Sequence, residues 1–315
     1  MSRAPFQQLP FAALPALPRI PHPYFSTPAR ELSLHSTAFG DVRVHCRVHG
    51  SGPPLLLVHG LMTSSYSFRY VLEPLGQHFT VYVPDLPGSG RSSMPDRSYH
   101  PDRYAEFLGE LIDALGIRGC RTVGNSLGGY LAMRLALRDR GAMSRLLNLH
   151  SPGIPLPRLH ALRMALGLPL SESVLQRVIA LHPERWVQRN VHYYDETLKS
   201  REETREYGAP LSTRAGRHAF HRILKETLDV REMAAFEAQL CARRERGARF
   251  PVPLMLMYAE RDPMVPPEVG ERMRALVPDA EFVKLREGSH FAHVDAPRVF
   301  LESAVPFLRG ADGDN

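Results

Sequence analysis

The tightest constraint on this chain is the stretch Arg121-Thr122-Val123-Gly124-Asn125-Ser126-Leu127-Gly128-Gly129-Tyr130. A short apolar run, Cys120 to Val123, enters it, and a run with Leu127, Leu131 and Leu135 at helical spacing leaves it. Ser126 sits at the junction, with Gly124 and Gly128 two residues to either side. A strand that turns into a helix this sharply leaves no space for side chains around the turn, a demand that glycine meets. The Ser126 hydroxyl is then expected above a sheet edge, with the amides that open the helix aimed at the same point. Two readings are open here: an exposed nucleophile on a strained turn, or an N-cap whose glycines ease packing. An acid and a base further on, in the order Ser, Asp, His, would decide for the first.

The surrounding pattern is that of an α/β protein. Leu32 to Phe39 and Asp41 to Val48 read as an antiparallel hairpin, the second strand alternating Val42, Val44, Cys46 and Val48 with polar partners. From Pro54-Leu55-Leu56-Leu57-Val58 onward, alternation gives way to continuous apolar runs, as for parallel strands buried on both faces. Further runs of this kind are Thr80 to Val83, Gly119 to Val123, Leu146 to Leu149 and Pro253 to Tyr258, with a last strand from Glu281 to Leu285. Helices are expected over Tyr66 to Leu75, Pro101 to Leu115, Glu271 to Leu276 and Val299 to Leu308. With 315 residues, 43% of them hydrophobic, the chain can fill one large domain or one domain with an insertion. Between Pro152 and Phe250 the strand rhythm stops for about a hundred residues, too long for an ordinary crossover and helical in periodicity. The division expected is a proline-rich extension over 1–30, a core over 31–151 and 251–310, and a helical cap over 152–250.

Seven prolines between Met1 and Arg30 argue for an extended segment, laid across the body or loose. Pro15 and Pro18 break the one apolar run there that could serve as a secretory signal, and no run approaches the ~20 residues of a membrane span. The cytoplasm is the expected location. Cys46, Cys120 and Cys241 form no C-x-x-C, so neither a disulfide framework nor a metal site is indicated. Of the chain's net charge of +6, five charges fall within 152–250, without basic residues interleaved with aromatics, so nucleic acid is not an expected partner.

Downstream of Ser126 the awaited acid and base do appear. The strand at Pro253 to Tyr258 runs into Glu260-Arg261-Asp262-Pro263-Met264-Val265-Pro266, and the last strand leads into Gly288-Ser289-His290-Phe291. With His59-Gly60 after the first buried strand and Asp85-Leu86-Pro87-Gly88-Ser89-Gly90-Arg91-Ser92 after the next, these stretches resemble the motifs of the α/β-hydrolase family over about Glu31 to Leu308. The resemblance implies a mostly parallel central sheet flanked by helices, with the helical cap inserted. It implies that Ser126 is the nucleophile, His290 the base and Asp262 the acid that orients it, while the backbone amides of Leu61 and Leu127 form the oxyanion hole. The side chain of His59 is expected to brace its own loop, and that of His293 to pack or lie exposed.

For function, the resemblance implies a serine hydrolase acting on a small-molecule carboxylic ester or thioester through an acyl-enzyme, without metal or cofactor. Alternatives are hydrolysis of carbon–carbon bonds in ring-fission products, which Gly124-Asn125-Ser126 also resembles, and a non-catalytic ligand-binding protein on the same fold. Epoxide and haloalkane hydrolases of this family attack with aspartate, where this elbow carries serine. Met62, Trp186, Tyr193, Tyr194 and Phe291 are the candidates for the substrate pocket.

Overall fold

The computed structural model describes residues 5–310, which form an eight-stranded sheet with helices on both faces. Strands β1 (Ala29–Ser36) and β2 (Gly40–His49) make the antiparallel hairpin expected at the start, pairing Leu32 with Val44. The remaining strands are β3 (Pro54–Val58), β4 (Thr80–Pro84), β5 (Cys120–Asn125), β6 (Met143–Leu149), β7 (Leu254–Ala259) and β8 (Glu281–Leu285). They lie in the order β1-β2-β4-β3-β5-β6-β7-β8, antiparallel as far as the β2–β4 pair and parallel beyond it. The chain reverses direction of travel across the sheet at β3. That switch puts β5 at the centre, with loops from the carboxyl ends of its neighbours gathered round it, where open α/β sheets bind ligands.

Continuous apolar strands are explained by burial on two sides. In β3, Leu56 and Val58 join the core under α2 (Pro101–Leu115) and α3 (Leu127–Arg138), while Leu55 and Leu57 join the opposite core with α1 (Leu72–Gly76). β7 does the same, sending Leu256 and Tyr258 one way and Met255 and Met257 the other. The remaining helices of the sheet are α10 (Pro267–Leu276), the one-turn α11 (Ala292–Asp295) and α12 (Pro297–Arg309).

One expected helix is broken. Residues 66–75 form a 3₁₀ turn, Ser65–Phe68, followed by the separate short helix α1. A continuous helix would put Pro74 in its interior, where the ring clashes with the preceding turn and no amide is available; starting α1 at Leu72 moves Pro74 into the first turn.

Between β6 and β7 lie only helices: α4 (Pro157–Gly167), α5 (Ser171–Leu181), α6 (Pro183–Asn190), α7 (Arg201–Gly208), α8 (Arg214–Thr227) and α9 (Val230–Glu245), with two 3₁₀ turns. An ion pair buried on both sides joins this layer to the sheet. Arg69, in the loop after β3, meets Glu203 of α7 at 2.5 Å, both within 1% of full burial, and the Tyr193 hydroxyl donates to the same carboxylate at 2.9 Å. Arg69 also lies over the rings of Tyr66 and Tyr70, 4.5 Å from each centroid.

From Pro5 onward the proline-rich leader lies on the helical layer, its first four residues falling outside the described ones. The Phe6 amide donates to the Tyr194 carbonyl (3.1 Å), Gln8 to that of Gln188 (3.1 Å), and the amides of Arg201 and Glu202 donate back to Pro15 and Ala16. The Phe11 ring sits under Arg201, and His22 reaches Glu202 at 2.9 Å. Tyr24 then touches Ser65 at 2.8 Å, so the leader spans from the helices back to the sheet.

Candidate active site

Ser126 follows β5 and N-caps α3 with φ 53° and ψ −119°, a backbone conformation that L residues rarely adopt. The two flanking glycines are needed for close approach. A Cβ on Gly128 would stand 2.2 Å from the Val58 carbonyl, and one on Gly124 would stand 2.5 Å from the backbone of Gly129. β5 and α3 therefore converge more tightly than any side chain permits. The Ser126 amide donates to the Leu149 carbonyl at 2.7 Å, which ties the turn to the end of β6.

Asp262 and His290 come from the loops after β7 and β8. His290 Nδ1 lies 2.6 Å from Asp262 Oδ2, while Oδ1 accepts the amides of Met264 (2.7 Å) and Val265 (2.8 Å). Burial opposes ionisation of this carboxyl, but the imidazole and the amides outweigh it and hold its pKa below the ordinary value. With all its bonds accepted, the acid fixes the ring in one orientation. The His290 carbonyl takes a bond from Asn125 Nδ2 at 3.0 Å, so the residue before the serine also holds the histidine loop.

Ser126 and His290 open on one cavity of about 400 Å³, whose walls include Leu61, Leu127, Leu156, Leu159, Leu162 and Phe291. Leu61 follows the turn out of β3 and Leu127 is the first residue of α3; among the described residues neither amide has a backbone acceptor. His59 braces the loop that carries Leu61: its Nε2 accepts the Leu86 amide (2.9 Å) and its Nδ1 lies 2.8 Å from the Gly60 carbonyl. Burial keeps this ring neutral, its pKa pushed down, as both bonds require. Asp85 organises the loop after β4, accepting the Ser65 and Arg91 amides at 2.7 and 2.8 Å.

The aromatic pocket expected from the sequence is largely elsewhere. Phe291 lines the cavity; Met62, Trp186, Tyr193 and Tyr194 do not. Met62 turns toward a separate small cleft beside Gly88 and Tyr207. Tyr193 is wholly buried, engaged with Glu203 and edge-on to Phe291, and Trp186 packs in the same cluster. Tyr194 faces Phe6 of the leader and is anchored by its amide to Asp295 at 2.7 Å. The walls are instead mainly aliphatic, with Leu156, Leu159 and Leu162 from α4 and its approach over the serine, and Arg158, Asn190 and His192 as polar groups.

Two histidines escaped or only partly yielded to sequence reasoning. His150, just past β6, is fully buried at φ 53°, with its ring 5.6 Å from that of His290. Its Nε2 accepts the Ala259 amide at 2.8 Å, and burial lowers its pKa to about 3. Its place at the carboxyl end of a central strand was the available signal. His293, three residues after His290, is packed: it stacks 4.8 Å from Phe68 with both ring nitrogens unpartnered, and burial drives its pKa well down.

Comparison with known proteins agrees with this architecture. The family described as the alpha/beta hydrolase fold matches residues 53–297. An uncharacterized protein of Mycobacterium tuberculosis is 26% identical over 297 residues, covering 89% of this chain and 83% of its own. Haloalkane dehalogenase 2 of the same organism is 28% identical over 261 residues, 81% of this chain and 87% of its own. Among solved structures, a thermophilic esterase from Thermogutta terrifontis superposes with a TM-score of 0.70 at 22% identity, covering 89% of this chain and 98% of the esterase.

Proposed function

Since the chain belongs to the alpha/beta hydrolase fold family, we propose that it is a serine hydrolase that cleaves carboxylic esters, thioesters included, by acyl transfer through Ser126. The observation that carries this reading is the shared cavity: a serine on a strained turn and a histidine whose far nitrogen is held by a buried carboxylate face the same space. His290 takes the Ser126 proton as the hydroxyl oxygen attacks the substrate carbonyl, and Asp262 stabilises the imidazolium that results. The amides of Leu61 and Leu127 receive the oxyanion, a contribution on the order of 3 kcal/mol for each donor. His290 then returns the proton to the leaving group, and water, activated by the same ring, releases the acid. The helices over the site act as a cap that keeps bulk water from the acyl-enzyme.

The mainly aliphatic walls favour an acyl or alkyl chain on the substrate. Transfer of the dehalogenase relative's chemistry is opposed by the serine itself. Displacement at an alkyl carbon would leave a serine ether, which has no carbonyl for water to attack, whereas an acyl ester on serine turns over. A cytoplasmic location goes with this reading, supported by three cysteines that are all free.

A fluorophosphonate probe tests the proposal. The wild-type protein should be labelled and Ser126→Ala should not; equal labelling of both would end the assignment. An ester panel of graded chain length, run beside a ring-fission dienone, ranks ester against carbon–carbon hydrolysis, and turnover of neither class would favour a binding role.

A further inference from the structure

Helices α4 and α5 carry an aliphatic surface that no part of the described fold covers. Met164, Leu168, Leu170, Val174, Val178 and Leu181 are exposed to between 50% and 74%. From Met164 to Leu181 the only charged residues are Glu172 and Arg177, and Glu172 is engaged by His218 at 2.5 Å and Gln176 at 2.7 Å. A helix on the surface of a protein in water shows one apolar stripe toward the core and polar residues outward. α4 departs from this on both sides: Leu159 and Leu162 face the Ser126 cavity, while Ala161, Met164, Ala165 and Leu168 face out. An apolar surface of this extent marks contact with an apolar phase or partner.

Charge indicates which. Across 157–190 the exposed charged residues are Arg158, Arg177, Arg185 and Arg189, whereas Glu172 and Glu184 are partly covered. A second copy of the chain in a two-fold contact would set this cationic segment against itself. The surface of an anionic bilayer complements it: aliphatic side chains enter the acyl boundary and the arginines meet the headgroups. The two helices are bent 98° to one another, and among the described residues no single helix is long and apolar enough to cross a membrane. This geometry fits an element lying in the interface.

We propose that the α4–α5 elbow is a membrane-docking surface that seats the protein on anionic bilayers, leaving one helix between the lipid and the Ser126 cavity. Docking is independent of whether Ser126 reacts. The test is co-sedimentation of the full chain with vesicles of phosphatidylcholine and phosphatidylglycerol, against phosphatidylcholine alone. Wild type should pellet with the mixed vesicles, less so as salt rises. Leu168→Ser and Leu170→Ser should each lower partitioning by up to about tenfold, with thermal melts and fluorophosphonate labelling as in wild type, since both side chains are exposed. Arg177→Glu with Arg185→Glu should abolish the preference for phosphatidylglycerol. Wild type that stays in the supernatant, or leucine variants that bind as wild type does, would overturn the proposal. So would light scattering that finds a dimer dissociated by the leucine substitutions without any vesicle binding.

Discussion

Asp262 spends both carboxylate oxygens on fixed partners, one on His290 Nδ1 at 2.6 Å and the other on two backbone amides of its own loop. In the proposed mechanism its role is orientation and charge stabilisation of the ring. Asp262→Asn should keep the fold, because an amide oxygen can still accept from Met264 and Val265, yet it should present its NH₂ to Nδ1 and favour the wrong tautomer. On an activated ester, kcat should fall by about three to four orders of magnitude while circular dichroism stays unchanged. A loss under tenfold would remove Asp262 from the mechanism.

The elbow should tolerate no added methyl. Gly128→Ala forces a Cβ against the Val58 carbonyl, which belongs to a central strand and cannot swing aside. The expected cost is about 3 kcal/mol or more, with disruption of the loop that carries Leu61. Thermal melts check it, and Gly116→Ala serves as a comparison: there a Cβ meets open space, so only the positive φ is penalised.

The Arg69–Glu203 pair separates specificity from stability. Glu203→Gln leaves a buried guanidinium without its counter-charge and should cost about 3–5 kcal/mol. Arg69→Met combined with Glu203→Leu should recover most of that loss in urea unfolding. A double variant as unstable as the single one would show that the ion pair contributes net stability.

Acid should destabilise the fold well above the carboxylate range. His59, His150 and His293 are buried neutral, with pKa values pushed below the ordinary 6.5 by burial, to about 3 for His150. The unfolded chain binds protons at these rings below about pH 6.5 and the folded one does not, so stability falls with decreasing pH, until about pH 3 for His150. Each ring contributes up to about 1.4 kcal/mol per pH unit. His293→Leu removes one such ring and two unpartnered nitrogens. Its stability at pH 7 should lie within about 1.5 kcal/mol of wild type, with a shallower acid slope between pH 6 and 4. An unchanged slope would refute this account.

How far the sequence could be read follows from how local each determinant is. The elbow, the strands and the loops holding Asp262 and His290 announce themselves through glycine placement and continuous apolar runs, which reflect contacts within one element or with the sheet. The pocket walls do not. Trp186 and Tyr193 are wall candidates by residue type alone, but their position depends on how α6 and α7 pack against the leader and on Arg69, a tertiary matter. Leu159 and Leu162 had nothing to distinguish them from core leucines. Pairing Arg69 with Glu203 joins residues 134 positions apart, beyond any periodicity. Pro74 is the local signal for the break in the expected helix, because its ring cannot sit in a helix interior.

The leader's bonds also set an order of events. Phe6, Gln8 and Pro15 are synthesised before the sheet, but their partners Tyr194, Gln188 and Arg201 follow six of its eight strands. Docking of this leader segment is therefore among the late steps of maturation, and contacts of such separation close slowly. A nascent chain stalled before α6 would hold six of the eight strands with residues 6–16 still unattached, open to proteases until translation resumes.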